Sequence, residues 1–199
     1  MKMRASMNHI FYSIFFGLLL YFFMVFILKQ SYEVAQDRSS YLMKIKFLVI
    51  GKTNHTSLKE LETVYENRII HYCDFLRVEV PHVKNPKNMS IEVLKKKEGE
   101  LLLSKISPND FVVLLDENGQ QFSSVKFASW LENKEMKMPN CITFVVGGAY
   151  GFDDELYKRA NFKMSLSAMT YTYQMVRLIF LEQLYRAFTI IRNESYHHA

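Results

Sequence analysis

Cysteine is scarce in this chain, with only Cys73 and Cys141 among 199 residues. They lie far apart, no CxxC pair occurs, and no cluster of cysteine and histidine has the spacing of metal ligands. A disulfide scaffold and a zinc site are therefore disfavoured, and no metal is expected. Two isolated cysteines are typical of a reducing cytosol, where they act as small buried hydrophobic residues. The composition thus predicts a cytoplasmic protein.

Glycine is also uncommon, with seven in the chain, and three of them stand together at Gly147, Gly148 and Gly151. The spacing is not the GxGxxG fingerprint, which disfavours a dinucleotide site of that kind. Two interpretations stay open. The cluster forms tight turns, or it lets backbone N–H groups approach a ligand closely because no Cβ intervenes.

Long hydrophobic runs are absent with one exception, the nineteen uncharged residues 10–28. This run is just long enough to cross the hydrocarbon core of a bilayer. A secretory signal fits less well, since no small-x-small cleavage site follows. Residues 1–42 are therefore expected to be either a membrane anchor or translated sequence upstream of a true start at Met43, and we favour the second. The protein would bind a membrane only if residues 1–42 belong to the native protein.

The charge of the remaining chain is close to balanced. Of 25 Lys/Arg and 20 Asp/Glu, four and two fall in the first 42 residues, which leaves about +3 on residues 43–199. This mild excess permits contact with a polyanion but does not require it, because RNA-binding domains normally carry a strongly basic face.

From Met43 onward, apolar runs alternate with segments of helical periodicity, as in a parallel α/β sheet flanked by helices. Ser57 and Glu60 predict a capping box, Ser90 a helix N-cap, and Asp116 to Gly119 a turn. The first predicted strand starts at Met43, and the others cover 75–80, 111–115 and 142–146. The first predicted helix starts at Ser57, and the others cover 91–106, 124–133, 154–160 and 172–192.

Apolar residues cover more than half the circumference of the last predicted helix. One face of a sheet cannot bury all of them, so we predict that this helix also packs on a second copy of itself in a two-fold homodimer.

Three segments follow the carboxyl ends of predicted strands, at residues 115–117, 147–151 and 166–170. Ligands of open α/β sheets bind in the crevice at that edge, which favours a site there. Asp116 and Glu117 are a general base or merely turn residues, and the turn is favoured. Glu182 and Arg186 are spaced as a helix surface pair. No general base is assigned.

The ordered segments MKIKFLVIGKT, FVVLLDENG, FSSVKFASWL, TFVVGGAYGF, MSLSAMTYTYQMVRLIFLEQLYRAFTI and YHHA resemble the ribosomal large-subunit methyltransferase H family over residues 43–199. The resemblance implies a SPOUT domain whose C-terminal part is threaded into a trefoil knot, a rare exception among folds. It also implies a homodimer that transfers methyl from S-adenosylmethionine to N3 of a pseudouridine in the helix 69 loop of 23S rRNA, on the assembled ribosome.

The same resemblance implies roles for individual residues. Arg177, Arg186 and Arg192 would contact RNA phosphates, and Tyr196, His197 and His198 would reach the partner's site and the RNA. Family members often carry histidine at the position of Tyr173 and a basic Arg or Lys at that of His198. The cofactor-binding residues would be Leu115, Gly147, Leu166, Ser167, Ala168, Met169, Thr170 and Tyr171.

Two other functions remain compatible with the sequence. One is a membrane-tethered, noncatalytic nucleotide-binding module, which requires a genuine anchor. The other is a SPOUT methyltransferase that modifies isolated tRNA and ignores ribosomes.

Overall fold

A computed structural model of the chain describes residues 24, 43–137 and 141–196. The predicted apolar extension at 1–42, except Met24, and the predicted RNA contacts His197 and His198 lie outside the described residues. Within the described part, no helix combines the length and apolar character needed to cross a membrane.

Five strands form one sheet, and four of them were predicted. The fifth is a short strand after the fourth helix that the sequence pattern did not reveal. The strands are β1 (Lys44–Ile50), β2 (Asp74–Val80), β3 (Phe111–Gln121), β4 (Ile142–Val146) and β5 (Phe162–Ser165).

Within residues 43–137 and 141–196, five α-helices connect and flank the strands, close to the predicted positions. Ser90 caps the second helix by accepting a hydrogen bond from the backbone N–H of Val93 at 3.3 Å, as predicted. The capping box at Ser57 is wrong, because the first helix begins one residue earlier and its N-cap residue is His55, which makes no side-chain cap. The helices are α1 (Thr56–Ile69), α2 (Ile91–Leu103), α3 (Ser124–Lys137), α4 (Asp154–Arg159) and α5 (Tyr173–Ile191), with a 3₁₀ helix at Pro86–Asn88.

The sheet has the order β2-β1-β4-β3-β5 and all its pairs are parallel, which confirms the predicted parallel α/β class. The central strands β1 and β4 are buried almost throughout. Strands covered on both faces read as continuous apolar runs, and this is why they were recognisable in the sequence.

Helices cover both faces of the sheet, and a separate hydrophobic core lies on each face. On one face, Phe47 and Phe144 pack against Phe180 of α5, with ring centroids 4.9 and 4.6 Å away. On the other, Leu48 and Val145 share a core with residues of α2 and α4. Helices α1 and α3 pack on either side of α5 and cover part of its apolar surface.

Strand β3 continues through the segment predicted as a turn. Residues 116–119 are part of the strand, and the pairing with β5 shifts register between Leu115 and Gln120. The polar turn-forming residues therefore create a bulge in an edge pairing, and the strand does not end there. The bulge projects Asp116 and Glu117 at the carboxyl edge of the sheet, where the site described below lies.

A buried carboxylate near the amino edge of the sheet provides a test of this packing. Asp110 Oδ2 accepts hydrogen bonds from Lys46 Nζ at 2.9 Å, Thr143 Oγ1 at 2.8 Å and the backbone N–H of Ser107 at 3.1 Å. Burial raises the pKa of Asp110, but these hydrogen bonds outweigh it and hold the pKa below its ordinary value.

We expect Asp110→Asn to lower the free energy of unfolding by about 2 kcal/mol at pH 7, the scale of hydrogen bonds to a charged group. Since the folded carboxyl has a depressed pKa, its stabilisation is complete above the unfolded-state pKa of about 3.9 and is lost as the pH falls through the folded-state pKa. Urea unfolding is measured at pH 7 and in acid, below about pH 3.9. The difference in unfolding free energy between the wild type and Asp110→Asn should be smaller in acid. A difference that stays constant would show that another group controls the acid response.

Candidate active site

A cleft of about 690 Å³ opens at the bulge of β3 and the carboxyl ends of β4 and β5, beside the start of α5. Most of the residues predicted to bind a cofactor lie in its wall, whereas Ala168 lies in the same loop but is not among the lining residues. The predicted residues that line it are Leu115, Gly147, Leu166, Ser167, Met169, Thr170 and Tyr171.

One wall is the glycine loop that follows β4. At Gly147, a Cβ would lie 3.0 Å from Phe152 Cε1 and 3.1 Å from the carbonyl oxygen of Gly151, so a side chain there has little room. Gly151 adopts φ +80°, which only glycine reaches without strain. The loop folds back on itself through a bridge between Gly148 and Gly151. The cluster thus forms a tight reversal that lines the cleft, and the close approach of its backbone N–H groups to a ligand stays a prediction.

The opposite wall is the segment between β5 and α5. Ser165 Oγ donates to the carbonyl oxygen of Ser167 at 2.8 Å, and Ser167 Oγ accepts from the backbone N–H of Met169 at 2.9 Å. Thr172 caps α5 by accepting from the N–H of Met175 at 3.3 Å. The hydroxyl groups therefore fix the backbone of the loop, as expected for residues next to a helix start.

The bulge of β3 supplies two carboxylates to the cleft. Asp116 accepts from the backbone N–H of Asn118 at 2.8 Å and from the Tyr157 hydroxyl at 2.5 Å, while Thr170 Oγ1 donates to Glu117 at 2.9 Å. Burial, followed by the hydrogen bond and charge of Asp116, raises the pKa of Tyr157 above its ordinary value, so this phenol stays a donor at neutral pH. The cleft consequently has apolar, backbone and anionic surfaces that suit an organic cation.

Arg177 does not face the solvent, and the expectation that it contacts phosphate is wrong for this conformation. Its side chain is fully buried. It donates to the carbonyl oxygens of Ile50 and Gly51 and to Thr53 Oγ1, the last two at 3.1 Å. Burial, then the neighbouring Arg77, lower the pKa of Arg177. Its guanidinium also lies 5.3 Å from the ring centroid of Tyr173, a residue of the cleft wall.

The other predicted RNA contacts that the structure describes lie at the far end of α5. Arg186 Nε donates to Glu182 Oε1 at 3.0 Å, which confirms the helix surface pair. The ring of Tyr196 packs on that of Tyr185 with centroids 4.8 Å apart, and its hydroxyl donates to Glu182 at 3.2 Å. The Arg192 guanidinium lies 4.9 Å from the centroid of Tyr72. In this chain, Tyr196 therefore lies against its own helix.

Several residues of the cleft were missed by sequence reasoning. Phe152, Tyr157 and Val176 line it, although they were not among the predicted site residues. Their position after the glycine loop and in the first turn of α5 was the available signal. Arg177 also had a signal, since it lies three and four residues before Phe180 and Leu181 on the apolar stripe of its helix.

Comparison with known proteins places the domain in a family. The model of a family described as predicted SPOUT methyltransferase matches residues 43–197. A ribosomal RNA large subunit methyltransferase H of Parabacteroides distasonis is 50% identical over 156 residues, 78% of this chain and 99% of that protein. Its counterpart in Christiangramia forsetii is 51% identical over 156 residues, with the same coverage.

A solved structure agrees at the level of the fold. The crystal structure of a probable methyltransferase from Bordetella pertussis superimposes with a TM-score of 0.50 at 9% sequence identity. The likeness covers 77% of this chain and 99% of that one.

Proposed function

Because the chain belongs to the SPOUT methyltransferase family, we propose that it methylates N3 of a pseudouridine in the helix 69 loop of 23S rRNA on the assembled ribosome, using S-adenosylmethionine. The observation that carries the proposal is the identity of about 50% over nearly the whole length of relatives named ribosomal RNA large subunit methyltransferase H.

The cleft fits S-adenosylmethionine in size and chemistry. Its volume of about 690 Å³ lies within the range of roughly 300–1,000 Å³ found for pockets that hold drug-sized ligands. Leu115, Leu166 and Val146 offer apolar surface for a purine ring. Asp116 and Glu117 offer negative charge to a cofactor that carries a sulfonium and an ammonium group.

The bound cofactor would supply a methyl group already activated by its positively charged sulfur. The chain's own contribution is then to hold the acceptor base in line with that group and to exclude water, and orientation alone can lower such a barrier by several kcal/mol. The hydrogen bonds of Ser165, Ser167 and Thr170 hold the loop rigid without the cofactor, so little ordering is left to occur on binding.

We include the homodimer and the trefoil knot in the proposal. Large apolar side chains are exposed at the rim of the cleft and in the adjoining first turn of α5, with Met169 at 75%, Tyr171 at 37% and Met175 at 37% exposure. Contiguous apolar surface beside a polar site is typical of a protein interface. A second copy over this rim would bury it and would bring its own C-terminal residues toward the site.

The decisive experiment offers the purified full chain and labelled S-adenosylmethionine in parallel to ribosomes, free rRNA and tRNA from a strain lacking the modification. We expect label only on 23S rRNA of ribosomes, at a pseudouridine identified by nuclease digestion and mass spectrometry. Label on tRNA alone would replace the proposal with the tRNA enzyme. Cofactor binding without label on any RNA would indicate the noncatalytic module.

The same assay tests the extension. We propose that residues 43–199 are the functional unit, so a chain begun at Met43 is expected to transfer methyl at the rate of the full chain. A large loss of transfer in the shorter chain, with its cofactor affinity intact, would show that residues 1–42 take part.

A further inference from the structure

A second, smaller cavity lies next to the cleft and has no role in the proposal so far. Its volume is about 190 Å³, and it shares Gly148, Ala149, Tyr150 and Tyr173 with the cleft. The remainder of its wall comes from the end of β1, the loop after β2 and helix α2: Ile50, His82, Val83, Pro86, Leu94 and Glu98. The two cavities are therefore neighbours that share the glycine loop and Tyr173 as lining.

Glu98 is the unusual member of this wall. Its side chain is only 7% exposed, and its Oε2 has no hydrogen-bond partner. That oxygen lies 2.3 Å from the position that a Cβ of Gly148 would occupy, so the carboxyl group lies directly against the glycine loop. Burial raises the pKa of Glu98 above its ordinary value. An unpartnered buried carboxyl group destabilises a protein, and such groups concentrate where a ligand supplies the missing partner.

The size and lining of the second cavity limit what it can accept. A volume of about 190 Å³ lies below the roughly 300 Å³ at which pockets begin to hold drug-sized ligands, which suits a single ring better than a nucleoside. Tyr150 and Tyr173 provide aromatic surface, and Ile50 and Leu94 provide apolar walls. A carboxyl group accepts a ring N–H and, when protonated, also donates to a ring carbonyl.

The loop that forms the outer wall is suited to RNA. It runs from β2 to α2 through His82 and carries the exposed cations Lys84 and Lys87. Cations of this kind contact phosphates without reading sequence, and enzymes that modify a base inside a folded RNA hold the extruded base between aromatic and apolar side chains.

We propose that the second cavity is the subsite for the pyrimidine ring of the methyl-accepting nucleotide, with Glu98 as the hydrogen-bonding partner of the ring edge. Lys84 and Lys87 bind the flanking phosphates. This inference rests on the proposed function, because it takes the acceptor to be a base presented to a cofactor in the neighbouring cleft.

The substitution Glu98→Leu separates a ligand-binding role from a structural one. If Glu98 is a substrate-binding residue without a partner in the free protein, leucine of similar size removes a buried, unpartnered carboxyl group. We then expect the melting temperature to rise by about 2–4 °C. We also expect kcat/KM for ribosomes to fall at least tenfold while the Kd of S-adenosylmethionine changes less than about twofold. Glu100→Leu, on the exposed side of the same helix, is the control and should change neither activity nor cofactor affinity.

Two results would overturn the subsite. Wild-type kcat/KM in Glu98→Leu would show that the carboxyl group does not meet the substrate. Lost activity together with a lowered melting temperature would show that Glu98 supports the fold. A second variant, Val83→Trp, fills the cavity from its outer wall, and we expect it to lower kcat/KM at unchanged cofactor affinity; full activity of a folded Val83→Trp would equally reject the subsite.

A binding experiment keeps this inference distinct from the proposed function. Ribosomes are reconstituted with 23S rRNA that carries either pseudouridine or an abasic site at the target position, and their affinity for the fluorescently labelled wild-type chain and Glu98→Leu is measured by anisotropy with S-adenosylmethionine present. Preference of the wild type for the base, lost in the variant, supports the subsite even if no RNA is methylated. Equal affinities reject it, whatever the outcome of the methylation assay.

Discussion

Replacing Arg177 by alanine is expected to lower the free energy of unfolding by about 3–5 kcal/mol, because hydrogen bonds to a charged group contribute about 1.5–3 kcal/mol and the cavity left by a large side chain adds to the loss. The guanidinium holds the carbonyl oxygens of Ile50 and Gly51, where β1 ends, and Thr53 beyond them. Its loss leaves buried acceptors without donors and a cavity under α5. Small domains have a total stability of about 5–15 kcal/mol, so the variant should be close to unfolding at physiological temperature.

Guanidinium chloride unfolding of the wild type, Arg177→Ala and Arg177→Met gives the test. Methionine refills most of the volume but donates no hydrogen bond, so it should recover only the part of the loss that comes from the cavity. Equal stability of Arg177→Met and the wild type would mean that the hydrogen bonds contribute nothing. The comparison also addresses function. If a folded Arg177→Met bound ribosomal RNA with a much weaker salt dependence than the wild type, Arg177 would contact phosphate despite its burial in this structure.

The second large effect concerns the cleft. Gly147→Val is expected to weaken S-adenosylmethionine binding at least about 100-fold, which corresponds to roughly 2.7 kcal/mol. The Cβ alone would lie 3.0 Å from Phe152 and 3.1 Å from the carbonyl oxygen of Gly151. The two methyl groups of valine must therefore displace the loop or enter the cleft, and either change removes cofactor surface.

Isothermal titration calorimetry measures this loss directly. Ser129→Val places the same valine side chain at an exposed position of α3 that is not part of the cleft, and its affinity should equal that of the wild type. Circular dichroism of both variants establishes that the sheet is intact. A Gly147→Val protein that binds the cofactor within about threefold of wild type would remove this cleft as the cofactor site.

The sequence predicted those parts of the fold that depend on local patterns. Strand β4 was placed correctly because its five residues are all buried and all but Thr143 are apolar. Strand β5 was missed because it has four residues with Lys163 exposed and lies at the sheet edge. The turn at residues 116–119 has the composition of a chain reversal, yet pairing with β5 on the far side of the bulge keeps the segment extended.

The site was predictable where its residues belong to motifs, and less so where it depends on contacts between residues far apart in the sequence. The two main loops of the cleft follow from the order of segments shared with the family. The burial of Arg177 depends on a carbonyl oxygen 126 residues earlier, at Gly51. The second cavity requires that α2, the loop after β2 and the glycine loop converge, which no local pattern of residues reveals.

The strand order also dictates a sequence of events during synthesis. Strand β1 forms the middle of the sheet with β4, and Ile45 pairs with Ile142. When β1 leaves the ribosomal exit tunnel it can pair only with β2, and the backbone N–H and C=O groups on its other edge stay unpaired until α2, β3, α3 and β4 have been translated. Pairings that span so much chain form slowly and leave intermediates prone to aggregate. A nascent chain of this protein should therefore be a client of ribosome-associated chaperones until residues 142–146 emerge.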